Sequence, residues 1–595
     1  MRTPAYRERT HESDIQIERA DIVIAGSGAA GMRAAIAAHD AGARVVVLAK
    51  GPARANHTRM SGGRYNAVSG LNPGDTTDAF YRDTVQSGCG INDHALALIL
   101  AEEAMDRAYD LESYGLVWDR KTAAEYSLSM TGGGSFVRTI GSADEGIGIT
   151  EVMLHQLYRR GIPVRDFHML VDVVGDGDVI QGALALDLAR GEWRYFECGA
   201  VIIATGGTSQ LYETSSGPTI NTGDGIAIAM RAGAELVDIE FMQFIPISFV
   251  YPPSAKGYTL TEPAHYGMRH YDPTAEAAHL LNNKGERFVL KHDPVRKEGS
   301  TRDVLARAIM IEILEGRGTP EGGVLMVPDP RVFESFLRER PIYVKRLLEN
   351  YGEAQARLEA PIQVMPSALY TLGGVRVDSW CATRVRGLFV AGEAAGGVHG
   401  ANRLGGSSMP DIQVFGRRAG MAAASYVAQQ GRGASRGSEQ ARARAATLEA
   451  PLCSQHGLRP IEVKKRVQKL MWDHVGLVRS GERMEQTLRQ FRELRTEVLP
   501  SLKVTGRTRI LNREWMEAIE LENLLDIGEA MISASLVRTE TRGAHYRTDF
   551  PDTDPQWEAN VVVSRSGLAA PIKVTKKPVS LLPSAQVERE TAMAR

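Results

Sequence analysis

A glycine-rich turn between two apolar segments near the N-terminus constrains the fold of this chain most. Residues 20–25 form a continuous apolar run, which is typical of a buried parallel strand, and residues 43–48 form a second one after a helical pattern. In such a βαβ unit Gly26 allows the turn, Gly28 lets the backbone approach a pyrophosphate, and Gly31 lets the helix pack against the strand. The sequence therefore predicts a dinucleotide site here, and an ordinary tight turn is the alternative.

The end of the second strand departs from the pattern of NAD-binding proteins. An acidic residue normally binds the adenosine ribose there, but this chain has Ala49 and Lys50. Two later apolar runs, 201–207 and 388–392, also end in glycine, so we expect the nucleotide-binding layer to be assembled from distant segments. A less regular segment lies between these two runs, and an amphipathic helical pattern follows from about residue 440.

Composition and charge exclude several classes of protein. The 595 residues are 43% hydrophobic and carry a formal charge of -2, which argues against disorder and against a general nucleic-acid or membrane-surface binder. The four cysteines, Cys89, Cys198, Cys381 and Cys453, are far apart in sequence, so no zinc ribbon, iron–sulfur ligand run or other metal site is expected. Few cysteines, no secretory signal and no long apolar stretch predict a cytoplasmic protein without direct membrane insertion.

Six motifs together show a resemblance that covers residues 19–560. The chain resembles the flavoprotein subunit of the succinate dehydrogenase and fumarate reductase family, of which L-aspartate oxidase is a cousin. The two longest strings, HGANRLG and TETRGAH, are the most specific. The motifs are GSGAAG at 26–31, HTRMSGG at 57–63, ATGG at 204–207, NTGDG at 221–225, GEAAGGVHGANRLGGSS at 392–408 and RTETRGAHYRTDFPDTDPQW at 538–557.

The resemblance implies an α/β fold: a Rossmann-like FAD-binding domain, an inserted α+β capping domain and a C-terminal helical domain. We expect the FAD-binding domain at 15–245 and 361–430, the capping domain at 246–360, the helical domain at 440–545 and a C-terminal tail at 546–595.

FAD is the cofactor that the resemblance implies, and the lysine at the end of the second strand is similar to what family members carry. In the family the histidine of a His-Thr pair is joined covalently to the flavin, and His57 with Thr58 matches that pair. L-aspartate oxidases lack this histidine, and a hydrogen-bonded loop histidine without a covalent bond is the alternative. The expected cofactor-binding residues are Gly26, Gly28, Ala29, Ala30, Gly31, Lys50, His57, Thr58, Gly62, Gly63, Ala204, Thr205, Gly206, Asp224, Glu393, Arg403, Ser407 and Ser408.

Three residues match the catalytic machinery of the family. The resemblance places the proton-transfer group at Arg302, its relay carboxylate at Glu262 and the arginine that binds a substrate carboxylate at Arg403. An arginine has a pKa above 12 and can move a proton only where burial and a relay lower the free-energy cost. Arg302 on the surface of a helix capped by Ser300 or Thr301, and Arg403 in a structural ion pair, are the alternatives.

The substrate site departs from the family at three positions. The family pattern QxHP has Ile245 in place of histidine, AHYTxGG has Leu369 in place of histidine, and His265 stands where an arginine is expected three residues after Glu262. Each lost hydrogen bond to a carboxylate removes roughly 1.5–3 kcal/mol of binding free energy. We expect Thr261 and His265 to contact the substrate as well, and one substrate carboxylate to bind Arg403 while a bulkier or less charged end lies against Ile245 and Leu369.

The predicted function is therefore hydride exchange between FAD N5 and a carbon beside a carboxylate, on a small acid other than plain succinate. Because the chain lacks iron–sulfur ligands, an iron–sulfur or ferredoxin-like partner is expected, which could hold the protein at the inner face of a membrane. The alternatives are an amino-acid oxidase like L-aspartate oxidase and a non-catalytic flavin electron-transfer protein.

Overall fold

The computed structural model of the chain describes residues 15–176, 178–259, 278–339, 341–430, 437–565, 567 and 570–581. The strands are β1 (Ile15–Arg19), β2 (Ile22–Ala25), β3 (Val45–Leu48), β4 (Tyr65–Asn66), β5 (Leu128–Ser129), β6 (Thr139–Ile140), β7 (Val164–Arg165), β8 (His168–Asp176), β9 (Val179–Asp187), β10 (Glu192–Glu197), β11 (Ala200–Ile203), β12 (Leu236–Val237), β13 (Met242–Phe249), β14 (His279–Leu281), β15 (Val324–Val327), β16 (Ile362–Thr371), β17 (Gly374–Arg376), β18 (Leu388–Val390), β19 (Ala395–Gly396), β20 (Ala559–Ser564) and β21 (Lys573–Pro578).

The α-helices are α1 (Ala29–Asp40), α2 (His57–Met60), α3 (Thr77–Ser87), α4 (His94–Ser113), α5 (Glu145–Arg159), α6 (Asp224–Arg231), α7 (Arg302–Leu314), α8 (Phe333–Glu339), α9 (Pro341–Asn350), α10 (Glu353–Ala356), α11 (Ser408–Gln430), α12 (Ser438–Leu448), α13 (Ala450–Cys453), α14 (Pro460–Val475), α15 (Gly481–Glu493) and α16 (Arg513–Val537). Short 3-10 segments lie at Ser209–Leu211, Pro253–Ala255, Phe288–Lys291, Lys297–Gly299, Pro330–Val332, Gly392–Ala394, Leu499–Ser501 and Pro555–Trp557, and a π turn lies at Leu494–Val498.

A parallel sheet with the order β18-β11-β2-β3-β7 forms the centre of the nucleotide-binding layer. Its inner strands are apolar and fully buried, as expected for strands covered on both faces. The strands come from segments far apart in sequence, as the glycine-ended apolar runs predict. Helices α1 and α11 pack closely together against this sheet, where Gly416 and Gly420 allow the backbone of α1 to approach.

A second layer is built on an antiparallel sheet with the order β13-β16-β15-β14. Helix α7 packs on β13 and β16, and the buried apolar side chains between them form a core of their own. The expected boundary at 245/246 falls within β13, and the boundary at 360/361 falls just before β16.

The C-terminal helices α14, α15 and α16 pack on one another, and α16 also contacts α6 of the nucleotide-binding layer. The tail contributes β20 and β21 to a sheet with the order β19-β17-β12-β20-β21, and β20 is almost entirely buried. The predicted α/β architecture with a capping layer and a helical C-terminal region is thereby confirmed. Within the described part of the chain, no helix is both long and apolar enough to cross a bilayer.

Candidate functional site

A cavity of about 640 Å³ runs between the nucleotide-binding layer and the capping layer. Its volume lies in the range of small-molecule and cofactor sites. One end is formed by the first βα turn and the ends of the parallel strands, and the other end reaches β13, β16 and the first residue of α7. The cavity is therefore shaped for a long ligand that extends from the glycine-rich turn to the capping layer.

The glycine-rich turn has the backbone geometry that a dinucleotide requires. Gly26 has a positive φ of 114°, and a Cβ there would lie 2.1 Å from the carbonyl oxygen of Ala204. A Cβ at Gly31 would lie 1.9 Å from the carbonyl oxygen of Gly26, so a larger residue would push the helix away from the strand. Gly28 caps α1 without a side-chain hydrogen bond, and the backbone N–H of Ala29 donates to Thr58 Oγ1 at 3.2 Å. These residues fit the pyrophosphate of FAD at a helix N-terminus.

Lys50 lies in an ionic cluster at the end of β3. Its Nζ lies 2.7 Å from Asp224 Oδ2 and 2.6 Å from Glu520 Oε1, and it also donates to Thr222 Oγ1. Burial disfavours the charged ammonium, but Asp224 and Glu520 outweigh it and raise the pKa of Lys50. Asp224, at the start of α6, therefore binds Lys50 and lies with it in the cavity wall.

His57 lies at the start of α2 with about a quarter of its side chain exposed. The N-cap residue Asn56 fixes this short helix by accepting a hydrogen bond from the backbone N–H of Arg59. His57 Nδ1 lies 3.3 Å from Glu393 Oε2, and Glu393 Oε1 accepts a hydrogen bond from the backbone N–H of Thr371. No described residue hydrogen-bonds to His57 Nε2, so this nitrogen remains available to a ligand in the cavity.

The structure brings most of the expected cofactor-binding residues to the cavity wall. Two of them lie behind it: Gly31 packs against Gly26, and the hydroxyl of Ser407 accepts a hydrogen bond from Asn66 Nδ2 at 3.0 Å. The residues that line the cavity are Gly26, Gly28, Ala29, Ala30, Lys50, His57, Thr58, Gly62, Gly63, Ala204, Thr205, Gly206, Asp224, Glu393, Arg403 and Ser408.

Arg302 and Arg403 meet at the capping-layer end of the cavity, where one amide joins them. Gln243 Oε1 accepts from Arg302 Nη1 at 3.2 Å and from Arg403 Nη2 at 2.9 Å. Gln243 Nε2 donates to Asn402 Oδ1 and to the carbonyl oxygen of Arg403, which fixes the orientation of the amide. Thr301 caps α7 without using its hydroxyl, and Arg302 lies in the cavity wall.

Neither arginine forms an ion pair with a carboxylate among the described residues. The guanidinium of Arg403 is buried and lies over the ring of Tyr370 at 4.6 Å, and no described residue hydrogen-bonds to its Nε. Burial and the nearby charge of Arg302 lower the pKa of Arg403 to about 10. Two buried or half-buried cations that share a neutral oxygen form a site prepared for an anionic ligand.

The expected substrate contacts fall into two groups. Ile245 and Leu369 line the cavity beside the arginines, on the paired strands β13 and β16. Thr261, Glu262 and His265 lie outside the described residues.

Gln243 and Tyr370 are the site residues that sequence reasoning missed. Gln243 pairs with Tyr370 across the two strands, whereas Phe244 pairs with Ala368, so Leu369 is the extra residue of a β-bulge. The bulge allows the adjacent residues Leu369 and Tyr370 both to line the cavity, which a regular strand would prevent. The glutamine of the QxHP pattern was the available signal for Gln243.

Comparison with known proteins supports the family that the sequence motifs indicate. The family described as FAD binding domain matches residues 21–409, and the family described as Fumarate reductase flavoprotein C-term matches residues 464–591. The chain is 36% identical to a subunit of the CoM/CoB fumarate reductase of Methanothermobacter marburgensis, over 92% of this chain and 98% of that protein. It is 32% identical to the fumarate reductase flavoprotein subunit of Mycobacterium tuberculosis, over 90% and 93%. A solved structure of FrdA from E. coli quinol fumarate reductase superposes with a TM-score of 0.88 at 27% identity, covering 96% of this chain and 99% of that one.

Proposed function

We propose a function from one premise: the chain belongs to the family of succinate dehydrogenase and fumarate reductase flavoprotein subunits, which are FAD-dependent oxidoreductases. The proposed reaction is hydride exchange at a carbon beside a carboxylate, either dehydrogenation of a saturated acid or reduction of its C=C bond. The single observation that carries this proposal is the pair of arginines, Arg302 and Arg403, held by one neutral oxygen of Gln243 at the end of the FAD-sized cavity.

Each arginine has a separate role in this proposal. FAD, when bound, supplies the hydride acceptor or donor at N5. The buried guanidinium of Arg403 binds the substrate carboxylate through N–H groups that no carboxylate of the described chain occupies. Arg302 gives or takes the proton at the carbon next to the one that exchanges hydride. Gln243 keeps both guanidinium groups at hydrogen-bond distance from one point, which orients them toward a common ligand.

The substrate that fits this site best has one carboxylate and a less charged second end. Ile245 and Leu369 line the wall beside the arginines, and neither side chain can donate a hydrogen bond to a second carboxylate. Tyr258 and Thr259 also line the cavity. We therefore propose a 2,3-unsaturated monocarboxylic acid, or its saturated counterpart, with an apolar or aromatic substituent as the substrate class.

Turnover with a panel of acids tests this proposal. The FAD-loaded protein is assayed with a reduced viologen dye as electron donor against fumarate, crotonate, cinnamate and related enoic acids, and with an oxidised dye as electron acceptor against the saturated acids. We expect the best substrate to be a monocarboxylic acid, and clear preference for fumarate or succinate would contradict the substrate class. The double variant I245H/L369H provides the matched control, because the two added donors should shift preference toward fumarate.

We also propose that His57 carries FAD covalently. Its Nδ1 is engaged by Glu393, which leaves Nε2 for the bond. Absorbance and mass measurements on denatured protein test this, with His57→Ser as the control. Flavin that remains on the wild-type peptide containing His57 after denaturation supports the bond. If a correctly folded, FAD-loaded protein releases all its flavin when it is denatured, the bond is absent.

Electrons leave or reach the flavin through a partner in this proposal. An iron–sulfur or ferredoxin-like protein is the proposed partner, and the cytoplasm, at the inner face of a membrane through that partner, is the proposed location. All four cysteines are free, which is consistent with a reducing compartment. Co-purification of an iron–sulfur protein from the native host tests the partner. Rapid peroxide formation with an amino acid would instead favour the oxidase alternative.

A further inference from the structure

A small polar chamber, distinct from the main cavity, lies beside the two arginines. Its volume is about 10 Å³, which is at the lower limit for one water molecule. Arg302 and Arg403 line it together with three hydroxyl-bearing residues, Ser87, Thr131 and Thr301. Arg302 and Arg403 are the only described residues that line both this chamber and the main cavity.

The polar groups around the chamber match the needs of a single water. A buried water makes about three hydrogen bonds to polar groups that otherwise lack partners. Arg403 Nε is such a group, because it is fully buried and no described atom accepts its N–H. The hydroxyl of Thr131 takes part in no hydrogen bond among the described residues, whereas Ser87 Oγ donates to the carbonyl oxygen of Asn402 at 3.2 Å. Two residues with an unused polar group, Arg403 and Thr131, therefore line one water-sized space.

A glycine loop separates the chamber from solvent. Thr131 itself is buried, but Gly132 is only partly buried and Gly133 is exposed, with a positive φ of 90°. Neither glycine carries a side chain that could close the path from the surface. The loop 131–134 therefore lies between solvent and the chamber that Arg302 lines.

Arg302 needs a source of protons other than the family's relay, because the relay segment is altered in this chain. An arginine that protonates a substrate must regain a proton before the next turnover, since its neutral form is strongly basic. The relay implied by the resemblance passes through Glu262, and there His265 replaces the expected arginine.

We propose that one water in this chamber returns the proton to Arg302 from solvent across the loop 131–134. This inference rests on the proposed function. When a C=C bond is reduced, one carbon takes the hydride and its neighbour takes a proton from the guanidinium of Arg302. The neutral guanidine then takes a proton from the chamber water, and solvent replaces it, so each turnover consumes one solvent proton. Thr131 is a positioning residue in this scheme, because its hydroxyl orients the water.

Three variants of the FAD-loaded protein test the proposal. Thr131→Val removes the hydroxyl at nearly constant volume, Thr131→Ser restores it, and Ser135→Ala changes an exposed residue of the same loop that hydrogen-bonds to Asp83 instead. We expect T131V to lower kcat about tenfold and to increase the solvent deuterium isotope effect, with KM and flavin content unchanged. T131S and S135A should keep wild-type kcat and isotope effect.

Two further measurements separate the possible failures. A crystal structure should show ordered water about 3 Å from Arg403 Nε in the wild type and none there in T131V. If T131V keeps the kcat and the isotope effect of the wild type, the proposed proton route is wrong. It is also wrong if the chamber of the wild-type protein holds no water. If the wild-type protein turns over no acid in the panel, the proposed function fails instead, whatever the chamber holds.

Discussion

Two buried clusters of arginine differ in how their charges are balanced. Around Arg538, three carboxylates surround one guanidinium: Glu240 at 2.8 Å, Glu540 at 3.0 Å and Asp238 at 3.4 Å. Around Gln243, two guanidinium groups share a single neutral oxygen. Arg538 and Arg403 are both buried, so the difference between them lies in the counter-charges and not in burial.

The difference teaches where a ligand belongs. A buried guanidinium that is paired with carboxylates of the chain needs no anionic ligand, and the ion pairs fix the arrangement of the segments that they join. A buried cation without a carboxylate is held at a cost in solvation free energy that an anionic ligand can recover. The Arg538 cluster therefore joins the C-terminal motif to the loop before β13, and the Arg302–Arg403 pair is where we propose that the substrate binds.

The largest expected effect is on turnover when Arg302 is replaced. Arg302→Ala should lower kcat by about 10³-fold, since a general acid or base typically contributes 10²- to 10⁴-fold. Arg307 is the matched control: it lies on the same helix and stacks over the ring of Tyr546 at 4.9 Å, outside the main cavity. Arg307→Ala should retain most of the activity in a steady-state assay, and full activity of R302A would remove Arg302 from the chemistry.

The next effect concerns stability, and it contrasts the two clusters directly. Arg538→Met leaves Glu240 and Asp238 without their cation, while Glu540 keeps Arg542, and should lower the free energy of unfolding by about 3–5 kcal/mol. Arg403→Met removes a cation that has no carboxylate partner among the described residues and should change that free energy by less than about 1 kcal/mol. Urea unfolding of the FAD-loaded, substrate-free protein checks both. Equal destabilisation by the two variants would show that the clusters do not differ as argued.

The sequence predicted some parts of this picture and left others open, for physical reasons. The turn at Gly26 was predictable from residues alone, because its φ and its close approaches are local consequences of glycine. The lack of an ion-pair partner for Arg403 among the described residues was not predictable, because the strings HGANRLGG and TETRGAH are equally specific and neither reveals which carboxylates its arginine contacts. The charged partners of a buried residue depend on contacts between distant segments. Lys50 and Asp224, for example, lie 174 residues apart in the sequence.

The role of Gln243 depended on strand register in the same way. Its position opposite Tyr370 arises from the pairing of β13 with β16, and the bulge at Leu369 sets which side chains reach the cavity. A one-residue shift in the pairing of β13 with β16 would move side chains from one face of the sheet to the other. Sequence patterns near a bulge do not fix that register.

A smaller effect is expected when the neutral bridge is converted into a charged one. Gln243→Glu places a carboxylate between Arg302 and Arg403 and makes this cluster similar to that of Arg538. The carboxylate competes with the substrate for both guanidinium groups, so KM for the acid should rise about 10- to 100-fold, or about 1.4–2.7 kcal/mol. Gln210→Glu, which adds the same charge near Gly217, should leave KM unchanged. An unchanged KM in Q243E would mean that the substrate carboxylate binds elsewhere.

The smallest effect is a pH dependence of stability that arises at His545, beside the Arg538 cluster. His545 Nδ1 accepts a hydrogen bond from Arg479 Nη1 at 2.8 Å, and Nε2 lies 3.3 Å from the carbonyl oxygen of Arg538, so the buried ring is neutral. Burial, together with the charges of Arg479, Arg538 and Arg547, lowers the pKa of His545 well below its ordinary value of 6.5. The unfolded chain therefore binds one more proton than the folded chain below pH 6.5, and the stabilisation that is present above this pH is lost as the pH falls.

Replacing His545 by glutamine keeps a donor and an acceptor but removes the titration. Between pH 6.5 and 5.5 the loss of unfolding free energy should be smaller in H545Q than in the wild type, by up to about 1.4 kcal/mol per pH unit. His399, whose pKa burial also lowers, stays in both proteins and contributes equally to both curves. Urea unfolding at a series of pH values measures the difference. If the two proteins lose unfolding free energy equally as the pH falls, His545 binds its proton as readily in the folded chain as in the unfolded chain. The pKa of His545 would then not be lowered by its surroundings.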